Sequence, residues 1–268
     1  METLAACPLC GNKSPSSLGE KRDYVTGRAF RVQACPQCGL GFVNPRPDPE
    51  EIKDYYPSYY SWQEDSSGGF VNRLEKFYRF QSLRFETTRL RAFSGLRTGA
   101  VLDVGCGSGD RLAALEEAGF APHGIEMGSA AEKAIASKRW PIVSGTVFSA
   151  QFPTGTFSAV TFYNVIEHIH QPVEAMKRAR TWLKPNGVLV VQLPNRRSWQ
   201  ARWCGLRWSS ADVPRDLFYF DSRNLCTAMA QAGFELLRID HVPHLLHPPD
   251  TVLLVHVGRA ANQVAFGD

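Results

Sequence analysis

The stretch that most constrains this chain is Val101-Leu102-Asp103-Val104-Gly105-Cys106-Gly107-Ser108-Gly109-Asp110. A short apolar run meets three glycines at alternate positions. Asp110–Ala118 follows, with Leu112 and Leu115 on one helical face. Glycine takes the positive φ of a tight turn and lets a ligand approach the backbone where a Cβ would block it. The start of the next helix offers unpaired N–H groups, suited to a carboxylate or phosphate. Phe120–Glu126 then reads as a second strand ending in an acid. Strand, turn, helix and strand form a βαβ unit, which demands a mostly parallel sheet. The alternation continues with strands expected at Phe157–Tyr163, Val188–Leu193, Phe234–Val242 and Thr251–Val257. Ala118-Gly119-Phe120 and Ala232-Gly233-Phe234 read as two helix-to-strand junctions capped by glycine.

The loop selects its ligand. A dinucleotide loop has the spacing G-x-G-x-x-G, whereas Gly105, Gly107 and Gly109 follow G-x-G-x-G. Asp103, two residues before the first glycine, would repel a pyrophosphate and welcome an ammonium. S-adenosylmethionine (SAM) carries an α-ammonium and a sulfonium, so it suits the site better than NAD. Glu126 stands where a carboxylate accepts hydrogen bonds from both ribose hydroxyls.

On these residues the chain resembles the class I SAM-dependent methyltransferases over 100–195, through LDVGCGSGD, GIEMG, FYNVIEHIHQP and LKPNGVLVVQLPN. The resemblance implies an α/β, Rossmann-like, seven-stranded core. It also implies SAM contacts from Asp103, Gly105, Cys106, Gly107 and Glu126, with Asn164 nearby and the adenine flanked by Met127 and 145–147. Ser158 departs from the family, which has Asp there in an F-D-x-V sequence.

Cys7-Pro8-Leu9-Cys10-Gly11 and Cys35-Pro36-Gln37-Cys38-Gly39 are two C-P-x-C-G knuckles separated by 24 residues. Four thiolates at tetrahedral geometry make a closed, structural zinc site, whose binding energy would fold a module too small for a core of its own. Residues 1–44 are thus expected to form a zinc ribbon and 45–98 a linker with a helical cap (helix 71–94). Residues 99–268 would form the SAM-binding domain. Such a module, followed by Pro45-Arg46-Pro47 and a tyrosine cluster, resembles the sugar C- and O-methyltransferases of deoxysugar and surface-polysaccharide pathways. The resemblance implies that the module walls the acceptor pocket and that Tyr60 or Tyr59 reaches the cofactor; packing between domains is the competing role for that cluster.

Two segments bear on the acceptor. Glu167-His168-Ile169-His170 follows the fourth strand, at the carboxyl end of the sheet where α/β ligands bind. His168 is the candidate base, with Glu167 orienting it; a helix cap is the alternative. Asn164 replaces the first Glu of the Glu-x-x-Glu-His signature of ubiquinone-type O-methyltransferases, so no catalytic metal is expected. The insertion 195–221 is long enough to be functional and holds five arginines and three tryptophans, read as a lid or as interface packing. Within it Val213-Pro214-Arg215-Asp216-Leu217 resembles the V-P-R-H-L pattern of those sugar methyltransferases with Asp216 in place of His, so either Asp216 is the base, or His168 and Tyr219 carry that role, or no base is needed. Arg215, a fork of donors suited to phosphate, and Trp208 are the candidate substrate contacts.

Composition narrows the class. Lysines and arginines exceed acids by 30 to 26, too mild an excess to imply nucleic acid. No signal peptide or membrane span is evident, and seven cysteines without an export signal point to a reducing, cytoplasmic setting. The sequence therefore suggests a monomeric or homodimeric enzyme methylating oxygen or carbon of a small molecule, a sugar that can be nucleotide-linked and so phosphate-bearing. An RNA methyltransferase and a non-catalytic SAM-binding protein are the alternatives.

Overall fold

The computed structural model describes residues 1–56, 70–136, 139–243 and 252–260; Tyr59, Tyr60 and Trp62 lie outside them. The main sheet is built from β4 (Gly99–Val104), β5 (Phe120–Glu126), β6 (Ile142–Ser144), β7 (Phe157–Tyr163), β8 (Leu183–Pro194), β10 (Phe234–Pro243) and β11 (Val252–Ala260). Its order is β10-β11-β8-β7-β4-β5-β6. The five strands β4 to β8 run parallel, and β11 and β10 complete one edge antiparallel.

Period-two alternation makes this a three-layer structure, because successive strand side chains face opposite sides. Leu102, Val104, Val160, Phe162, Leu189 and Val191 pack on one face. There they meet Met176, Ala179 and Trp182 of α4 (Pro172–Trp182) and Leu225, Ala228 and Met229 of α6 (Ser222–Gln231). Val101, Ala159, Val188 and Val190 pack on the other face, against Leu90 of α1 (Phe70–Ser94) and Leu112 and Leu115 of α2 (Asp110–Glu117). The two expected glycine junctions are present, with Gly119 at φ 83° and Gly233 at φ 82°. Helix α3 (Gly128–Ala136) links β5 to β6.

A second, four-stranded sheet has the order β1-β2-β3-β9. Three strands, β1 (Ser16–Arg22), β2 (Ala29–Ala34) and β3 (Gly41–Val43), come from the cysteine-rich segment. The fourth, β9 (Phe218–Tyr219), comes from the 195–221 insertion, pairing Gly41 with Tyr219 and Phe42 with Phe218. The N-terminal segment therefore does not close on itself at residue 44. The insertion also forms a short helix, α5 (Trp199–Cys204). Instead of capping the acceptor, Trp208 is 3% exposed and packs with Phe30, Val32, Val43, Tyr55 and Tyr219 beneath the small sheet. That corrects its expected role as a substrate contact: the indole is core because the added strand needs an apolar floor. No helix among the described residues is long and apolar enough to cross a membrane.

Phe42 lies at the seam, fully buried in the same cluster as Leu217, Phe218 and Phe220. Phe42→Ala should cost about 3–5 kcal/mol in urea unfolding; a loss under about 1 kcal/mol would contradict the shared core.

Candidate functional site

The cofactor half sits at the carboxyl ends of β4 and β5. Gly105 has φ 76°, and a Cβ there would lie 2.5 Å from Val165 Cγ2. Only glycine fits. Gly107 has nothing within 4 Å of a built Cβ, so its surface is open to a ligand. The Glu126 carboxylate accepts from Gly107 N (2.6 Å) and Met127 N (2.8 Å), so the acid and the loop face one another. Met127 is 56% exposed at the strand end. Asn164, just beyond β7, holds φ 54°, a left-handed conformation that Asn tolerates better than most residues. Its N–H donates to Gln192 O at 2.8 Å.

Two loop residues act differently from expectation. Cys106 is buried against Gly124 of β5, and its N–H donates to Ile125 O at 3.1 Å; it packs the loop and presents no group to a ligand. Asp103 is 1% exposed and already has a cation. It accepts from Thr161 Oγ1 at 2.6 Å and faces Arg111 Nε at 3.7 Å. Burial raises its pKa to about 6 although Arg111 and Thr161 pull it down. Arg111 also pairs with Glu86 of α1 and stacks 3.6 Å over the Tyr163 ring. This latch from cap helix to loop escaped the sequence reading, whose only hint was an arginine in the first turn of α2.

The candidate acceptor region brings Glu167, His168 and Asp216 together, with Tyr219 near enough to feel the Asp216 charge. Residues Ile166–His168 form a 3-10 turn beyond β7, and the Leu217 N–H donates to Glu167 O at 3.0 Å, holding that turn beside the strand entering β9. His168 Nδ1 lies 2.9 Å from Arg215 O and 3.2 Å from Asp216 Oδ1. A carbonyl only accepts, so Nδ1 carries the proton and Nε2 keeps its lone pair in the neutral ring. Ligand atoms of Glu167, His168 and Asp216 lie within 4.8 Å of one another, a grouping of the kind that holds divalent ions. With Nδ1 committed to the carbonyl, Nε2 is the ring nitrogen whose lone pair remains open to a proton or a metal ion.

Glu167 and Asp216 are 3% and 5% exposed. Glu167 Oε2 and the Tyr219 hydroxyl have no hydrogen-bond partner among the described residues. Burial pushes Glu167 up to about 7; His168 opposes that shift and Asp216 adds to it. Burial together with the Asp212 charge holds Asp216 well above the usual carboxylate range. Burial, then the Asp216 charge, raises the Tyr219 phenol.

Arg215 is the second correction. It is 0% exposed, and its Nε, Nη1 and Nη2 donate to Asp212, the Tyr55 carbonyl, Asp23 and Val213. No donor faces a substrate phosphate, because the buried charge needs protein partners.

The four cysteines converge. Cys7 Sγ lies 3.6 Å from Cys38 Sγ and Cys10 Sγ 3.4 Å from Cys35 Sγ, while Gly11 and Gly39 donate to Cys7 O and Cys35 O, each at 2.9 Å. Tetrahedral sulfurs at a Zn–S distance of about 2.3 Å stand roughly 3.8 Å apart, so the donor set fits zinc closely.

A family model described as a methyltransferase domain matches residues 76–239. That is more than half the chain, and the chain belongs to this family; its glycine loop, acid and sheet are those of the SAM-dependent class. Among curated relatives, the ubiquinone biosynthesis O-methyltransferase of Haemophilus ducreyi is 29% identical over 162 residues, covering 56% of this chain. The mitochondrial protein of that name from Schizosaccharomyces pombe is 31% identical over 145 residues, 51% of this chain. The matches span 65% and 52% of those relatives' own lengths.

Solved structures share the fold. The 1,6-didemethyltoxoflavin-N1-methyltransferase of Burkholderia thailandensis, with S-adenosylhomocysteine (SAH) bound, has a TM-score of 0.58 at 17% identity, covering 91% of this chain and 100% of that one. The magnesium protoporphyrin IX methyltransferase of Synechocystis, also with SAH, scores 0.59 at 14% identity, covering 80% and 100%. The [4+2]-cyclase SpnF scores 0.52 at 19%, covering 74% and 84%, a reminder that fold alone does not set chemistry.

Two outcomes follow. Gly105→Ala should weaken SAH binding at least about tenfold, or about 1.4 kcal/mol, by calorimetry; unchanged affinity would contradict the close approach to Val165. Glu167 holds its proton more tightly folded than unfolded, so the wild type should lose stability as pH rises from about 4.5 to 7. Glu167→Gln should therefore melt close to wild type at low pH and above it once past neutrality. An equal offset at both ends would refute the raised pKa.

Proposed function

We propose that the chain transfers the methyl group of SAM to a hydroxyl oxygen of a small molecule, with His168 removing the hydroxyl proton. One observation carries this reading. His168, 30% exposed at its side chain, is fixed at Nδ1 by Arg215 O and Asp216, leaving Nε2 as the basic nitrogen at the carboxyl end of the sheet. In the transfer the acceptor oxygen forms the new O–CH3 bond as the S–CH3 bond breaks and its electron pair returns to sulfur. The acceptor proton passes to Nε2, and SAH leaves. SAM supplies the activated methyl group; the chain aligns oxygen, carbon and sulfur and holds the proton.

The curated relatives are named as O-methyltransferases, which favours oxygen over carbon. A sugar acceptor rests on the four-cysteine module ahead of the core, and nucleotide linkage loses its expected anchor with Arg215 engaged inside the protein. Zinc bound by Cys7, Cys10, Cys35 and Cys38 is the structural half of the proposal, supported by their convergence.

The test is transfer of labelled methyl from SAM to a panel of free sugars, nucleotide sugars and phenols. His168→Gln should lower kcat by about 100- to 10,000-fold on any acceptor the wild type uses, with SAH affinity unchanged. Undiminished turnover would remove His168 from the chemistry.

A further inference from the structure

We infer that Arg215 is a positioning residue, and that Asp23 of the N-terminal sheet acts through it to fix the proton of His168 on Nδ1. The inference rests on the proposed role of His168 as base.

The Arg215 charge has no access to water. Such a guanidinium persists only where its donors are met. Arg215 Nη2 meets Asp23 Oδ1 at 2.9 Å, Nε meets Asp212 Oδ2 at 2.8 Å, and Nη1 meets the Tyr55 carbonyl. Burial lowers the guanidinium pKa, but Asp212 and Asp23 more than offset it, so the net shift is upward. Asp23 is itself 1% exposed and held by Thr26 through Oγ1 (2.6 Å) and N (2.8 Å). It cannot follow a moving arginine. The loop is closed independently, Asp216 N donating to Asp212 O at 2.7 Å and Asp212 N to Asp216 Oδ2 at 2.9 Å.

Residues 212–216 therefore form a small closed loop that the Arg215 side chain ties to Asp23 and the Tyr55 carbonyl. The same residue's backbone carbonyl receives the His168 Nδ1 proton at 2.9 Å, with Asp216 Oδ1 beside it at 3.2 Å. Side chain and carbonyl belong to one residue, so whatever displaces the guanidinium displaces the acceptor that selects the tautomer. A histidine on a half-exposed turn has no intrinsic commitment to one tautomer; a fixed acceptor at one nitrogen supplies it. The sequence suggested that the N-terminal module walls the pocket. The geometry gives that wall a chemical task, carried from the β1–β2 hairpin to the imidazole through one buried arginine.

The experiment is nitrogen-15 NMR of His168 in the SAH-bound chain, the signal assigned with His168→Gln. The wild type should show a single neutral tautomer, with a pyrrole-type Nδ1 and a pyridine-type Nε2. Asp23→Asn and Arg215→Met should lose that single-tautomer signature while SAH affinity and the signals of α2 stay as in the wild type. If Arg215→Met fails to fold, Asp23→Asn, which changes one charge at nearly constant volume, remains decisive. An unchanged Nδ1–H signature in the folded variants would overturn the inference and leave the proposed function standing. A wild-type ring protonated at Nε2 instead would defeat the role of His168 as base, and the inference with it.

Discussion

A single arginine with no water around it joins the two halves of this protein. Arg215 leaves the insertion after β8, reaches Asp23 between β1 and β2, and takes the carbonyl of Tyr55 on the way. A buried unpaired charge would cost several kcal/mol, so these groups have to be brought together or the segment cannot bury its neighbours. Around that constraint the pairing of β3 with β9, the apolar floor of Trp208 and Tyr219, and the closed loop 212–216 are mutually consistent. The candidate acceptor site lies at this seam.

The cofactor half depends on something more local. A strand, a turn and a helix within about thirty residues generate the glycine loop, and the parallel neighbour β5 delivers Glu126 to its rim. That half is built on the central sheet, which is buried on both faces. The two halves thus differ in origin. One is a property of a βαβ unit, the other of a tertiary contact between residues almost two hundred positions apart.

That difference explains what could be read in advance. The tight turn at Gly105 and Gly107 and its meeting with Glu126 are legible because spacing and backbone conformation dictate them. The four cysteines were legible because knuckle spacing dictates convergence of their sulfurs. His168, Glu167, Asp216 and Tyr219 can be named as candidates one at a time, and the fold brings the first three within reach of one another. Their mutual arrangement could not be read, since β9 pairs with β3 across the chain and a two-residue strand leaves no periodic signal. Arg215 and Trp208 were misread for one reason: Arg and Trp in a long insertion look the same whether they face a ligand or fill a seam. Asp103 was identified as an acid in need of a cation, but its partner is Arg111 of the following helix, a contact set by how α2 packs.

The proposal places SAM on the glycine loop and the proton on His168, at the carboxyl ends of the neighbouring strands β4 and β7, where Gly105 approaches Val165. A crystal structure with SAH bound tests it most directly. The account predicts that the SAH ribose sits on Glu126, its methionine end lies along Gly105–Gly107, and its sulfur faces His168 Nε2 and the Tyr219 hydroxyl. A sulfur directed away from that cluster, or SAH bound somewhere other than the 105–109 loop, would contradict it.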